Sequence, residues 1–160
     1  PVSISNFWRR AECMHTAIET SFFAPWETVK SILPYVNLAF VDMKFFSNDL
    51  HKQYTGVDNA LIKQNLLATN ELEDKFQLVI RTPIVPGLND SEQELCKIGE
   101  FCTKLKKLSY VQLLPYHKLG TATYEKLGRT YALPDVKSPT PNQMAGYVKI
   151  IERYVENVIF

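Results

Sequence analysis

Six residues of this chain have types that could do chemistry together: Glu19, Thr20, Asp42, Lys44, Arg81 and His117. Two carboxylates, two cations and an imidazole gathered at one place suit a zwitterionic or amino-acid-like ligand, because each charged end of the ligand meets its opposite. Each residue alone has a plainer reading. Asp42 and Lys44 could be a solvated pair at the start of a loop, Arg81 an ion-pair partner and His117 a satisfied loop histidine. Placement decides between the two. Each of these residues stands where a short apolar or β-branched run ends, and that shared position favours function.

The elements that must position them follow from the runs. Leu38-Ala-Phe-Val41 is apolar without alternation, as in a strand covered on both faces, and it ends abruptly in Asp42-Met-Lys44. Met14 to Ile18 reads as a strand ending in Glu19-Thr20-Ser21. Phe76 to Thr82 reads as a third, finishing near Pro83 and Pro86, and Tyr110 to Leu114 as a fourth, ending in Pro115-Tyr-His117. Helical signals lie between them. Pro25 opens one helix and Pro34 closes it. Ser47 caps a helix that Gly56 stops, and Asp58 caps the next. Ser91 with Glu94 forms a capping box ahead of the stripe Leu95, Ile98, Phe101, Cys102, Leu105 and Leu108, and Thr140 with Gln143 caps the last helix. Strand and helix alternate four times, which predicts parallel strands with their carboxyl ends along one rim.

The bulk numbers exclude several classes. The 160 residues carry a net charge of +1 and 46% apolar content, enough for one domain over 1–160 with a real core. So small a charge argues against nucleic acid or an anionic membrane as partner. No run is long enough to cross a membrane, no signal peptide opens the chain, and a reducing, cytoplasmic location is expected from three cysteines without a framework. Cys96 and Cys102 are six apart on one helix, a spacing for packing rather than for metal ligation. The run from Cys13 into Met14, and the one around Ser21-Phe22, lack turn residues, so residues are expected to be missing there.

Four motifs in order, His15-Thr-Ala-Ile-Glu-Thr-Ser21, Val41-Asp-Met-Lys44, Ile80-Arg-Thr-Pro-Ile-Val-Pro-Gly-Leu-Asn-Asp90 and Leu113-Leu-Pro-Tyr-His-Lys-Leu-Gly120, give the chain a likeness. From Met14 to Phe160 it resembles the radical S-adenosylmethionine proteins that activate glycyl radical enzymes, typified by pyruvate formate-lyase activating enzyme. The resemblance implies an α/β fold, a partial (β/α)₆ TIM-like barrel of which this chain would be about the last four βα units. The family's cluster-binding cysteine loop and its Gly-Gly-Glu motif are absent, so the chain reads as the carboxyl-terminal part. Where the family usually has glycine after the Ser or Asn, this chain has Phe22.

The resemblance further implies that Glu19, Thr20, Asp42, Lys44, Arg81 and His117 bind S-adenosylmethionine, with Lys44 meeting the cofactor and His117 near the adenosine. It implies a monovalent cation at Glu19, Thr20 and Asp42. It implies a [4Fe–4S] cluster held by the missing segment, and an electron donor such as flavodoxin or ferredoxin. The activity would be reductive cleavage to a 5′-deoxyadenosyl radical that takes hydrogen from a glycine of a partner such as a formate acetyltransferase. The chain alone is expected to be inactive, with no catalytic residue of its own. Two rivals remain: a Schiff-base aldolase of another (β/α) barrel using Lys44, and a non-catalytic fragment that binds the partner.

Overall fold

Residues 14–118, 124, 126–128, 130, 131 and 133–160 are described by the computed structural model. Five strands form one sheet in chain order: β1 (Ala17–Thr20), β2 (Leu38–Asp42), β3 (Gln77–Ile84), β4 (Leu108–Pro115) and β5 (Val158–Ile159). Every neighbouring pair is parallel. The connections carry the helices α1 (Trp26–Ile32), α2 (Asn48–Thr55), α3 (Ala60–Ala68), α4 (Glu92–Cys102) and α5 (Pro141–Ile151). A parallel sheet wound in strict chain order with helical crossovers of one hand puts its helices on one face, the arrangement of a partial barrel.

Burial separates the two faces. Ala39, Val41, Leu78, Ile80, Val111 and Leu113 share one face in register and are fully buried under the helices. The alternate positions carry Glu19, Phe40, Asp42, Val79, Arg81, Tyr110 and Gln112, of which only Val79 is fully buried. Side chains alternate along each strand, so the same runs that build a dry core behind the sheet present charge in front of it.

The expected helix signals hold in the main. Ser47 Oγ accepts the Leu50 N–H and Gly56 ends α2 in the left-handed region at φ 85°. Thr140 and Gln143 make both halves of a capping box on α5. Several expectations need correction. Met14 lies outside β1 and Pro25 precedes α1 as its N-cap. Asn59, not Asp58, is the N-cap of α3, although Asp58 Oδ1 accepts the Ala60 N–H at 3.0 Å. Leu108 belongs to β4, not to the helical stripe.

β3 also runs through Pro83 to Ile84. Residues of a parallel strand bond alternately left and right. Arg81 O bonds Met43 N–H on the β2 side and Ile84 O bonds Tyr116 N–H on the β4 side. Pro83 therefore turns its missing N–H toward β2, which has already ended. The short β5 was not expected, since a two-residue strand leaves almost no periodic signal.

The turn after β1 explains the departure at residue 22. Phe22 has φ 56°, the only positive value outside glycine among the described residues. Glycine adopts this conformation without strain, and a residue with a Cβ pays roughly 1–2 kcal/mol. Phe22 offsets that by burying its ring, which is 1% exposed, within the core. Thr20 Oγ1 accepts the Phe22 N–H at 3.0 Å, and Asn65 Nδ2 donates to Phe22 O and Ala24 O at 2.8 Å each.

Candidate functional site

Register brings the charges together. Glu19 pairs across with Phe40, and Asp42 with Arg81, so both acids and the guanidinium share the open face at the carboxyl ends of β1, β2 and β3. Arg81 spans the two carboxylates. Its Nη1 and Nη2 reach Glu19 Oε1 and Oε2 at 2.9 and 3.0 Å, while Nη2 and Nε reach Asp42 Oδ1 at 3.0 and 3.1 Å. The guanidinium also lies over the Phe40 ring, 5.3 Å from its centroid. The Arg81 side chain is 15% exposed, against 68% for Glu19, so the arginine is seated and the glutamate is the outer arm of the clamp. The hydrogen bond to Arg81 holds the Glu19 carboxyl below its usual range, and the bond to Glu19 raises Arg81 further.

Lys44 and His117 occupy the same rim. Lys44 follows β2 by two residues, is exposed, and makes no salt bridge within 4.0 Å among the described residues. It borders a cavity of about 370 Å³ with Phe45, Tyr54, Asn89, Tyr124 and Tyr131. His117 follows β4 by two residues and is exposed, with Tyr116 N–H tied back to Ile84 O at 3.1 Å. Thr20 sits at the alternate position of β1, facing away from the Glu19 side, with its hydroxyl engaged by the Phe22 turn. The structure thus puts Glu19, Asp42 and Arg81 in contact, sets Lys44 and His117 on their rim, and leaves Thr20 on the turn behind.

Among the described residues no group of three His, Cys, Asp or Glu could hold a metal ion. Cys96 and Cys102 lie along α4. Burial pushes the Cys102 thiol up to about 12, far from the thiolate that iron requires, and Cys13 falls outside the described residues. Glu19 and Asp42 offer the oxygen donors a monovalent cation prefers, yet Arg81 already bridges them.

Sequence reading missed the groups that hold the rim in place. Glu94 was expected to fold back on its own cap. Ser91 Oγ does accept the Glu94 N–H, but the carboxylate reaches instead to the N–H groups of Phe46 and Ser47, the latter at 2.8 Å. Asn59 Nδ2 donates to Phe45 O and Phe46 O, and Lys63 Nζ to Phe46 O and Asn48 Oδ1. Burial holds the Lys63 ammonium below the usual lysine value, with Glu94 opposing. A polar residue inside an apolar helical stripe, as Asn65 is between Ile62 and Leu66, was the signal available.

The fold and rim define a class: a parallel α/β sheet with charged residues gathered at the carboxyl ends of its strands. No family model matches the chain. It is 35% identical over 140 residues to the indoleacetate decarboxylase activating enzyme of Tractidigestivibacter scatoligenes, covering 88% of this chain and 44% of that protein. It is 38% identical over 127 residues to the isethionate sulfite-lyase activating enzyme of Nitratidesulfovibrio vulgaris, covering 79% and 41%. Among solved structures, a domain of pyruvate-formate lyase-activating enzyme from Bacteroides vulgatus superposes with a TM-score of 0.74 at 24% identity, over 94% of this chain and 84% of that one. A radical SAM methyltransferase from Sphaerobacter thermophilus gives 0.62 at 14%, over 93% and 42%. The curated relatives are activating enzymes of glycyl radical enzymes, and the chain is homologous to the part of them it spans, less than half of each.

Proposed function

We propose that residues 1–160 are one domain, the carboxyl-terminal portion of a glycyl-radical-enzyme activating enzyme, and that its rim binds S-adenosylmethionine. The observation that carries this is the meeting of Glu19, Asp42 and Arg81 at the carboxyl ends of three parallel strands, with Lys44 on the same rim. Ligands of such sheets bind outside the carboxyl ends of the strands. Lys44, exposed and unengaged by any carboxylate among the described residues, is suited to the methionine carboxylate of the cofactor. Arg81 keeps the two acids apart from that carboxylate. Glu19 and Asp42 supply negative charge toward the ammonium and sulfonium, and His117 is suited to the adenosine side. Thr20 serves the site through the Phe22 turn.

S-adenosylmethionine with its iron–sulfur cluster supplies the radical chemistry when bound, and the cluster ligands belong to a segment outside this chain. The partner is a glycyl radical enzyme of the pyruvate formate-lyase kind and the electron donor a flavodoxin or ferredoxin, in the cytoplasm. Net charge of +1 gives no pull toward nucleic acid, and no helix among the described residues is long and apolar enough to cross a membrane. The aldolase reading loses ground because a Schiff-base lysine needs a dry pocket and Lys44 is exposed. The test is to treat the chain and the full-length protein alike with iron, sulfide and dithionite under argon. We expect 5′-deoxyadenosine from the full-length protein alone. Equal formation by the isolated chain would refute the division of labour, and none from either would refute the activity.

A further inference from the structure

The backbone that carries Lys44 is held at several polar atoms. Met43 N–H bonds Arg81 O at 2.8 Å, and Lys44 O accepts from Asn89 Nδ2 at 2.8 Å. Phe45 O and Phe46 O accept from Asn59, and the Phe46 and Ser47 N–H groups donate to Glu94. Asn89 differs from the rest in what it joins. It is 1% exposed, and its one amide donates to Lys44 O and to Pro83 O at 2.6 Å while accepting the Val85 N–H at 2.8 Å. It therefore ties the exit of β2, which bears Asp42 and Lys44, to the exit of β3, which bears Arg81. Asn89 and Lys44 also border the same cavity of about 370 Å³.

A lysine ends in a point charge on a flexible stem, so a protein places its ammonium mainly by fixing where the stem begins. We propose that Asn89 is a positioning residue for Lys44, setting the distance between the Lys44 ammonium and the Arg81 clamp; this rests on the cofactor role given to Lys44 above. Pro83 makes the arrangement specific. Its carbonyl and that of Lys44 both point into the gap between two strands, and a side chain with two amide hydrogens closes that gap with one group.

The test is a double-mutant cycle read as S-adenosylmethionine affinity of the full-length protein by calorimetry. Lys44→Met should weaken binding at least tenfold. Asn89→Ala should weaken it about tenfold, the loss expected from roughly one displaced charge-assisted bond. In the Lys44→Met background, Asn89→Ala should change affinity less than twofold, because a residue acting through Lys44 has nothing left to act on. Asn89→Ser, which keeps one donor, should fall between, and carries the comparison should the alanine variant not fold. The same tenfold loss in both backgrounds would overturn the proposal, showing either a direct ligand contact or general support of the fold. Unchanged affinity for Lys44→Met would sink the cofactor reading itself, and the proposal with it.

Discussion

Around Arg81 three ionised side chains meet on a sheet face that water reaches, whereas the loop bearing Lys44 is gripped from behind by Asn59, Asn89 and Glu94, all buried. The same fold therefore handles polar groups in two ways. In the first cluster the partners are side chains that can rotate, and Glu19 is mostly exposed, so each bond is weak and exchangeable. In the second the partners are backbone groups that cannot leave, and a lost donor leaves a buried carbonyl bare. Stability belongs to the hidden amides and ligand response to the visible charges. If the proposed site accepts a charged cofactor, it needs that division, because a clamp held as firmly as the loop could not rearrange when the cofactor arrives.

Substitutions on the two sides should differ in cost. Phe22→Ala should cost about 3–5 kcal/mol in urea unfolding, since it empties a fully buried ring position. Phe22→Gly should be less damaging than Phe22→Ala by roughly 1 kcal/mol, reversing the usual order, because glycine alone relieves the positive φ. Asn65→Ala should cost about 2–4 kcal/mol by leaving the carbonyls of Phe22 and Ala24 without their donor. Asp42→Asn, by contrast, should cost at most about 1 kcal/mol. A larger loss for Asp42→Asn than for Asn65→Ala would reverse the comparison.

Smaller effects separate the clusters by titration and reactivity. Arg81 holds the Glu19 carboxyl below its usual range, so its pairing stabilises the fold above the unfolded value. That contribution is lost as pH falls through the depressed folded value. In carboxyl NMR, Arg81→Gln should return Glu19 to the ordinary range, and an unmoved titration would show that the clamp does not exist in solution. Cys102, pushed up to about 12 by burial, should resist alkylation at neutral pH while the half-buried Cys96 reacts, as peptide mapping would show.

Much of this was legible along the chain. The Leu38–Val41 run, the Ser47 cap with its Gly56 stop and the Thr140–Gln143 box are local features, and local chemistry decides them. The rim could be read too, because residues after apolar runs in a parallel sheet must emerge on one side. The holding groups could not. Asn65 reaches a turn 41 to 43 residues away and Glu94 a loop 47 to 48 away, so periodicity can flag Asn65 but names neither residue's partner. Glu94 misled for the same reason: its spacing from Ser91 fits a capping box, and the better partners arrive only when the chain folds. Pro83 misled because its harmlessness depends on where the neighbouring strand stops.

A structure of the full-length protein with S-adenosylmethionine would show which end of the sheet holds the cofactor. We expect the methionine end of the cofactor at the carboxyl ends of β1, β2 and β3, with its carboxylate within hydrogen-bonding distance of the Lys44 ammonium. A cofactor bound at the amino ends of the strands, or on the helix-covered face, would contradict it.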